Sequence, residues 1–175
     1  MGRMEQHQRF MDMALEQARA ALKAGEFPVG AILVAEGEVV AVGCRQNSSG
    51  VAPTELDHAE IVALRRLLTQ NPEIKRGSLT LYATMEPCLM CYATLLLNGV
   101  RRLVYAYEDA MGGGTSLPLA QLAPLYRELA PEVEIIPHIR RQESLDLFQR
   151  FFRLPDTSYW QDSLLARYTL EQQGS

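Results

Sequence analysis

Residues 80–91 have the sequence TLYATMEPCLMC, in which a short apolar run precedes a proline and two cysteines. The run Leu79–Thr84 predicts a buried strand, and Pro87 predicts the first turn of a helix, where a missing backbone N–H costs nothing. On that helix Cys88 and Cys91 stand three positions apart, so both sulfurs face the same side. This segment therefore predicts a strand–helix unit that presents two thiols together.

The flanking sequence alternates between helix and strand patterns. Apolar residues at three- and four-residue spacing predict amphipathic helices, and short apolar runs bounded by turn residues predict strands. The predicted helices are Met4–Ala24, His58–Thr69 with Asp57 as its N-cap, Pro87–Asn98, Leu117–Leu129, Glu143–Phe152 and a short Trp160–Leu170. The predicted strands are Phe27–Val34, Val39–Cys44, Leu79–Thr84, Leu103–Tyr107 and Val133–Ile136. This order predicts an α/β protein with a three-layer α/β/α arrangement.

Length and composition limit the class of protein. With 175 residues, of which 47% are hydrophobic and 22% charged, the chain is expected to form one globular domain. It has no apolar run of about 18 residues that would predict a membrane span, and its polar N-terminus does not resemble a secretory signal. Three cysteines are too few for a disulfide scaffold, so we expect a reducing, cytoplasmic setting.

The charge balance argues against a large nucleic-acid surface. Seventeen Lys and Arg against 21 Asp and Glu give a net charge of −4, and Lys23 and Lys75 are the only lysines. A surface that binds a phosphate backbone usually has a basic excess. A local patch would be the exception, and its candidates are Arg101, Arg102, Arg140 and Arg141.

Cys88 and Cys91 form a candidate metal site together with His58. Both thiols lie at the start of a predicted helix, where the helix dipole and free N–H groups favour thiolates. His58, at the start of the preceding predicted helix, would supply a third ligand. Three ligands leave the fourth tetrahedral position of zinc open, which is the layout of a catalytic site. Glu60 is expected to flank the pocket and to carry a proton from water to a ring nitrogen and to departing ammonia.

Other interpretations of these residues are open. The Cys88-x-x-Cys91 pair could be a redox dithiol, and Cys44 could complete a closed Cys₃His site in a noncatalytic zinc module. Alone, Glu60 could be a capping-box residue. The run Gly112-Gly113-Gly114 lacks the lysine of a phosphate-binding loop and predicts a flexible loop. The combination with His58 favours the catalytic interpretation.

The H-x-E and P-C-x-x-C motifs resemble the signature of zinc deaminases that act on nucleobases. The chain is similar to the cytidine deaminase-like superfamily, in the branch of bacterial tRNA adenosine deaminases and guanine or nucleoside deaminases. The similarity covers about residues 5–153 and is carried by Phe27–Val34, Asp57–Arg65, Thr80–Cys91, the strand through Gly114 and Phe151-Phe152-Arg153. It implies a five-stranded mixed sheet, a Zn²⁺ cofactor, a homodimer, and hydrolysis of an amino-substituted base to its oxo form and ammonia.

The resemblance also implies residues that contact the substrate. Asn47 matches an asparagine that contacts the base or its sugar, and Val29 matches a residue that packs against the ring. Ala59 and Glu86 match positions that offer backbone groups to the substrate ring.

Substrate and tail carry the remaining expectations. A free guanine-like purine, or another nucleobase or nucleoside of purine metabolism, is favoured because the chain is acidic and Ala110–Gly114 lacks the basic residues typical of tRNA enzymes. The alternative is adenosine at the wobble position of tRNA. Residues 1–153 are expected to form the deaminase domain. Residues 154–175 form a tail whose Tyr159 and Trp160 could cover the pocket, by analogy with guanine deaminases.

Overall fold

The computed structural model describes residues 2–172, which contain six α-helices and five strands. The helices are α1 Arg3–Lys23, α2 Ala59–Gln70, α3 Leu89–Leu97, α4 Pro124–Leu129, α5 Arg141–Phe152 and α6 Leu164–Glu171. The strands are β1 Gly30–Ala35, β2 Glu38–Cys44, β3 Thr80–Met85, β4 Arg102–Tyr107 and β5 Glu134–Ile136. The domain and tail ranges expected from the sequence also include Met1 and residues 173–175, which lie outside the described residues. Within residues 2–172, no helix is both long enough and apolar enough to cross a bilayer.

The five strands form one mixed sheet in the order β2-β1-β3-β4-β5. Strand β1 is antiparallel to β2 and β3, whereas β3, β4 and β5 run parallel. Glu36 and Gly37 have φ angles of 52° and 84° and close the β1–β2 hairpin, because a tight two-residue turn favours positive φ at both positions. Because β3 and β4 are parallel, their carboxyl ends meet at the same edge of the sheet, where the chain leaves β3 to enter α3.

Helices cover both faces of this sheet. In β1, Ile32 and Val34 pack with α1, whereas Ala31 and Leu33 belong to the core shared with α2 and α3. All six residues of β1 are buried, as expected for a strand covered on both faces. The predicted three-layer α/β/α arrangement and five-stranded mixed sheet are confirmed.

Two strand glycines allow helices to lie directly on the sheet. A Cβ atom on Gly30 would lie 2.2 Å from the carbonyl oxygen of Ala14 in α1. A Cβ atom on Gly43 would lie 2.2 Å from the carbonyl oxygen of Ala59, the first residue of α2. Because both clashes are with backbone, neither position accepts a side chain without moving a helix. Gly43 thereby fixes the start of α2 against β2.

Two predicted helices differ from the observed ones at positions that contain proline. Pro87 lies before α3 rather than in its first turn, because the N-cap is Cys88. The segment predicted as one helix, Leu117–Leu129, is divided by Pro118 and Pro124 into a short 3₁₀ turn and α4. Proline removes a backbone donor and clashes with the preceding turn, so it ends one element and begins the next.

The tail helix is shorter than the predicted Trp160–Leu170. It begins at Leu164, and the hydroxyl of the N-cap Ser163 accepts a hydrogen bond from the N–H of Ala166 at 3.1 Å. Trp160 has a φ angle of 54°, in the left-handed region, which excludes it from a regular helix.

Candidate active site and metal centre

The candidate ligands lie at the starts of two helices. His58 is the N-cap of α2, Cys88 is the N-cap of α3, and Cys91 is the third residue of α3. Asp57 is not the N-cap, contrary to the prediction, because His58 still has extended backbone and the helix starts one residue later. The carboxylate of Asp57 instead accepts a hydrogen bond from the side-chain amide of Asn47 at 2.7 Å. Because His58 and Cys88 are N-caps, the positive ends of both helix dipoles lie at the donor groups, which favours thiolates.

The three donor atoms have the spacing of a metal site. Nδ1 of His58 lies 3.5 Å from Sγ of Cys88 and 3.4 Å from Sγ of Cys91, and all three atoms lie within 4.8 Å of one another. Nitrogen and sulfur ligands at ordinary zinc distances are separated by about 3.5 Å around a tetrahedral ion. The residues therefore fit zinc. The metal-binding group found among residues 2–172 does not include Cys44, so the structure does not assemble the closed Cys₃His set.

His58 and Cys88 by themselves form a charged pair, an imidazolium and a thiolate. Burial lowers the pKa of His58, but the hydrogen bond to Cys88 and the charge of Glu60 outweigh it and raise that pKa to about 9. The hydrogen bond with Cys91 is the main reason that the pKa of Cys88 falls to about 4. That same bond and burial raise the pKa of Cys91 well above its ordinary value. Because a zinc site needs a neutral imidazole and two thiolates, binding of zinc releases the protons on His58 and Cys91.

Glu60 lies in the first turn of α2 and is only 3% exposed. Its Oε2 atom is buried and has no hydrogen-bond partner among the described residues. Burial raises the pKa of Glu60 to about 7, although the positive charge of His58 acts in the opposite direction. A carboxyl group with a pKa near neutrality can accept and release a proton at physiological pH.

A cavity of about 310 Å³ opens at the candidate ligands His58 and Cys88, and Glu60 forms part of its wall. Its volume is at the lower end of the range for small-molecule sites. Most of the substrate and tail residues predicted from the sequence line it, namely Val29, Ala59, Glu86, Tyr159 and Trp160. Asn47 is not among the described residues that line it, and its amide is engaged with Asp57.

Sequence reasoning missed other residues of the cavity wall. Arg45 is 2% exposed although it is charged, and Glu55 lies in the loop that leads to α2. An acidic residue three positions before a histidine ligand is a signal that could have been used, because metal-bound histidines usually donate their second N–H to a carboxylate or carbonyl. Asp109 and Met111 come from the loop after β4 and extend the wall beside Cys88.

The glycine run after β4 is packed tightly against the start of α3. A Cβ atom on Gly114 would lie 2.7 Å from the nitrogen of Leu89 and 2.8 Å from the carbonyl carbon of Cys88. The N–H of Gly114 donates to the carbonyl oxygen of Pro87 at 2.9 Å, and Gly113 forms a β-bridge with Cys88. The prediction of a flexible loop is therefore wrong at this end of the run, because the loop supports the backbone of a candidate ligand.

Glu86 holds this loop from the other side. Its carboxylate accepts hydrogen bonds from the N–H groups of Asp109 at 3.1 Å and Thr115 at 3.3 Å. Its own N–H donates to the carbonyl oxygen of Tyr107 at 2.7 Å. The loop after β4 and the segment after β3 thus form one connected wall of the cavity.

Residues 4–107 match the family model for the zinc-binding region of cytidine and deoxycytidylate deaminases, a range that contains all four candidate residues of the centre, His58, Glu60, Cys88 and Cys91. The chain belongs to this deaminase family. Its cofactor is zinc, and it is a hydrolytic deaminase that acts on a C–N bond.

Two similar bacterial proteins support the same family assignment. A tRNA-specific adenosine deaminase from Agrobacterium fabrum is 32% identical over 154 residues, which cover 86% of this chain and 96% of the relative. A tRNA-specific adenosine deaminase from Bacillus subtilis is 29% identical over 152 residues, covering 86% of this chain and 91% of the relative. The chain thus spans nearly the whole length of both relatives.

Solved structures show the same fold. A structure from work on A-to-I editing by tRNA:A34 deaminases has a TM-score of 0.63 and 27% identity, with 79% of this chain and 98% of that chain covered. The guanine deaminase of Nitrosomonas europaea has a TM-score of 0.66 and 21% identity, with 82% of this chain and 83% of that chain covered. The second similarity is evidence for the fold alone.

Proposed function

We propose that His58, Cys88 and Cys91 hold the zinc ion and that Glu60 carries protons during hydrolytic deamination of an amino-substituted nucleobase. The observation that carries this proposal is a donor group with zinc spacing beside a buried carboxyl oxygen that has no partner among the described residues. Zinc held by one imidazole and two thiolates would supply a Lewis acid that activates water for attack at neutral pH.

The protein groups then move protons and hold the base. Glu60 takes a proton from water and delivers it to the ring nitrogen, and it then passes the remaining proton of the attacking hydroxyl to the amine, which leaves as ammonia. The amino group is replaced by an oxo group, so that one base and one water become one oxo base and one ammonia. Val29 and Ala59 contact the ring from the cavity wall, and the backbone of Glu86 holds its edge.

As substrate we propose an adenosine in tRNA. The support is the similarity to tRNA-specific adenosine deaminases at about one-third identity over most of both chains. The preference for a guanine-like free base, drawn from composition, is not confirmed by these relatives, which favour the alternative.

A free nucleobase or nucleoside, guanine-like first, is the second candidate because two structural observations favour it. Tyr159 and Trp160 line the cavity and would restrict access for a polynucleotide. The four arginines of the candidate phosphate-binding patch are all ion-paired to acidic side chains, which lowers their attraction for phosphate. These pairs are Arg101–Glu132, Arg102–Glu134, Arg140 with Asp12 and Glu143, and Arg141–Glu108.

Ammonia release by the zinc-loaded protein tests both candidates. The substrates are guanine, adenine, cytosine, their nucleosides and a tRNA with adenosine at position 34. Turnover of tRNA alone, with KM rising steeply as salt is increased, is the expected result. Turnover of a free base with little salt dependence would replace the tRNA proposal by the second candidate. The Glu60→Ala variant should retain zinc and lose turnover, whereas Glu128→Ala, at an exposed position on α4, should change neither.

The same proposal includes three further features. Residues 154–172 act as a cover of the cavity, since Tyr159 and Trp160 lie in its wall. The protein works in a reducing compartment, the cytoplasm, where Cys88 and Cys91 stay unoxidised and can bind zinc. A homodimer would pair through α3, where Leu97 is 56% exposed. Light scattering should show a dimer for wild type and a monomer for Leu97→Asp.

A further inference from the structure

Glu55 contacts His58 on the side of the ring that faces away from the sulfurs. Nδ1 of His58 faces Cys88 and Cys91, whereas Nε2 lies 3.1 Å from Oε2 of Glu55. If Nδ1 is the metal ligand, the proton of the neutral ring must be on Nε2, where it is donated to Glu55. A carboxylate in this place fixes both the tautomer and the orientation of the imidazole.

Glu55 is itself held by two residues that are distant in the sequence. Oε2 of Glu55 accepts a hydrogen bond from the hydroxyl of Tyr159 at 2.9 Å and lies 3.4 Å from Nη2 of Arg45. The side chain of Glu55 is 57% exposed, so packing alone does not restrict it. Its position therefore depends on the three groups that converge on one oxygen atom, namely the imidazole, the phenol and the guanidinium.

The ring of Tyr159 is anchored independently of its hydroxyl. Its centroid lies 5.1 Å from that of Phe27, and the guanidinium carbon of Arg45 lies 5.6 Å from the ring centroid. Arg45 is 2% exposed and also donates to the carbonyl oxygen of Thr54 at 2.7 Å. Loss of the hydroxyl alone would thus leave the ring in place and remove its hydrogen bond to Glu55, together with the bond that it accepts from Nη2 of Arg45 at 3.4 Å.

We infer that Glu55 is a positioning residue for His58 and that Tyr159, from the segment after α5, holds Glu55 in place, an inference that rests on the proposed zinc site. The C-terminal segment thereby contributes to retention of the metal as well as to the cavity wall. Neither residue touches the reacting atoms. Both act through the imidazole.

Zinc affinity of the full chain, measured by competition with a chromophoric chelator in the absence of substrate, tests this inference. Glu55→Ala should weaken zinc binding roughly 10- to 100-fold, as expected for loss of a carboxylate behind a histidine ligand. Glu55→Gln, which keeps an acceptor oxygen, should recover part of this loss. Tyr159→Phe should weaken zinc binding about three- to tenfold, the value of one hydrogen bond.

Two matched controls separate this role from general effects of substitution. Tyr168→Phe removes a tyrosine hydroxyl in α6 that donates to Glu108 at 2.8 Å, a bond equivalent to that of Tyr159 but between two residues that do not line the cavity. Glu132→Ala removes an exposed carboxylate that lies 3.3 Å from Arg101. Both variants should bind zinc as wild type does.

A double variant decides whether Tyr159 acts through Glu55. Tyr159→Phe should have no further effect on zinc affinity in the Glu55→Ala background. Wild-type affinity in Glu55→Ala, or an equal effect of Tyr159→Phe in both backgrounds, would overturn the inference. Because the measurement needs no substrate, it remains decisive even if none of the tested bases is deaminated, a result that would count against the proposed function instead.

Discussion

A methyl group at position 114 would press on the backbone that carries a candidate ligand. In Gly114→Ala the new Cβ atom would lie 2.7 Å from the nitrogen of Leu89 and 2.8 Å from the carbonyl carbon of Cys88. Ordinary contacts of this kind are at least 3.4 Å, so the two segments must separate by about 0.7 Å. Both clashing atoms belong to backbone at the start of α3, so no side chain can rotate aside to relieve them.

The expected cost follows from this displacement. Overpacking of a buried contact typically costs about 1–3 kcal/mol, which corresponds to a fall in Tm of roughly 2–12 °C for a chain of this size. A shift of nearly 1 Å in a catalytic group lowers the rate by roughly 10- to 100-fold. Gly114→Ala should therefore lower Tm, zinc affinity and kcat together, as measured by thermal unfolding, chelator competition and ammonia release.

Gly77→Ala is the matched control, because a Cβ atom on Gly77 would meet nothing within 4 Å. The same change at an unstrained position slightly stabilises a protein by restricting the unfolded chain, so Tm should stay constant or rise. A Gly114→Ala variant with wild-type Tm, zinc content and kcat would refute the argument that this loop supports Cys88.

Three further outcomes are expected. Glu60→Gln should retain zinc but lose about 10²- to 10⁴-fold in kcat, measured by ammonia release, and near-normal turnover would remove Glu60 from the mechanism. Cys44→Ser should leave zinc content and turnover unchanged, and loss of zinc on dialysis would restore the structural-site interpretation. Burial acts to raise the pKa of Glu108, but the Arg141 guanidinium and the Tyr168 hydroxyl outweigh it and lower that pKa. The ionised form of Glu108 therefore stabilises the fold at neutral pH, and this contribution disappears as the pH falls through its lowered folded-state pKa. The Tm difference between wild type and Glu108→Gln should accordingly be largest near neutral pH and should shrink as the pH falls below 4.5, the ordinary pKa of a glutamate side chain. A Tm difference that does not depend on pH would exclude the charge as its cause.

Local patterns made the donor group predictable. Cys88 and Cys91 lie within one helical turn, and His58 stands at the start of another helix, so spacing and helix signals alone placed them on the correct elements. Glu60 was proposed because a helix that begins beside the metal places a carboxylate two residues from the ligand on the other flank of the pocket. The exact helix starts were harder to predict. Asp57 is a residue type that often serves as an N-cap, but its carboxylate accepts a hydrogen bond from Asn47 instead of capping α2.

The support around the donor group was not predictable in this way. Tyr159 contacts Glu55 across 104 positions of sequence, and no periodicity relates the two. Arg45 is charged and follows directly on a strand, which indicates a surface residue, yet its guanidinium is buried through bonds to loop carbonyls. Gly114 was interpreted as a source of flexibility, because a sequence does not reveal that the missing side chain makes room for another backbone.

Because Tyr159 belongs to the cavity wall, the wall is completed late in synthesis of the chain. All three candidate ligands are made before it, and the interval from Cys91 to Tyr159 is 159 − 91 = 68 residues. At ~5–20 residues per second the ribosome needs roughly 3–14 s for this stretch. During that time Glu55 lacks the hydrogen bond from Tyr159 that holds it behind His58. A metal bound by the growing chain should therefore dissociate faster than one bound by the completed protein.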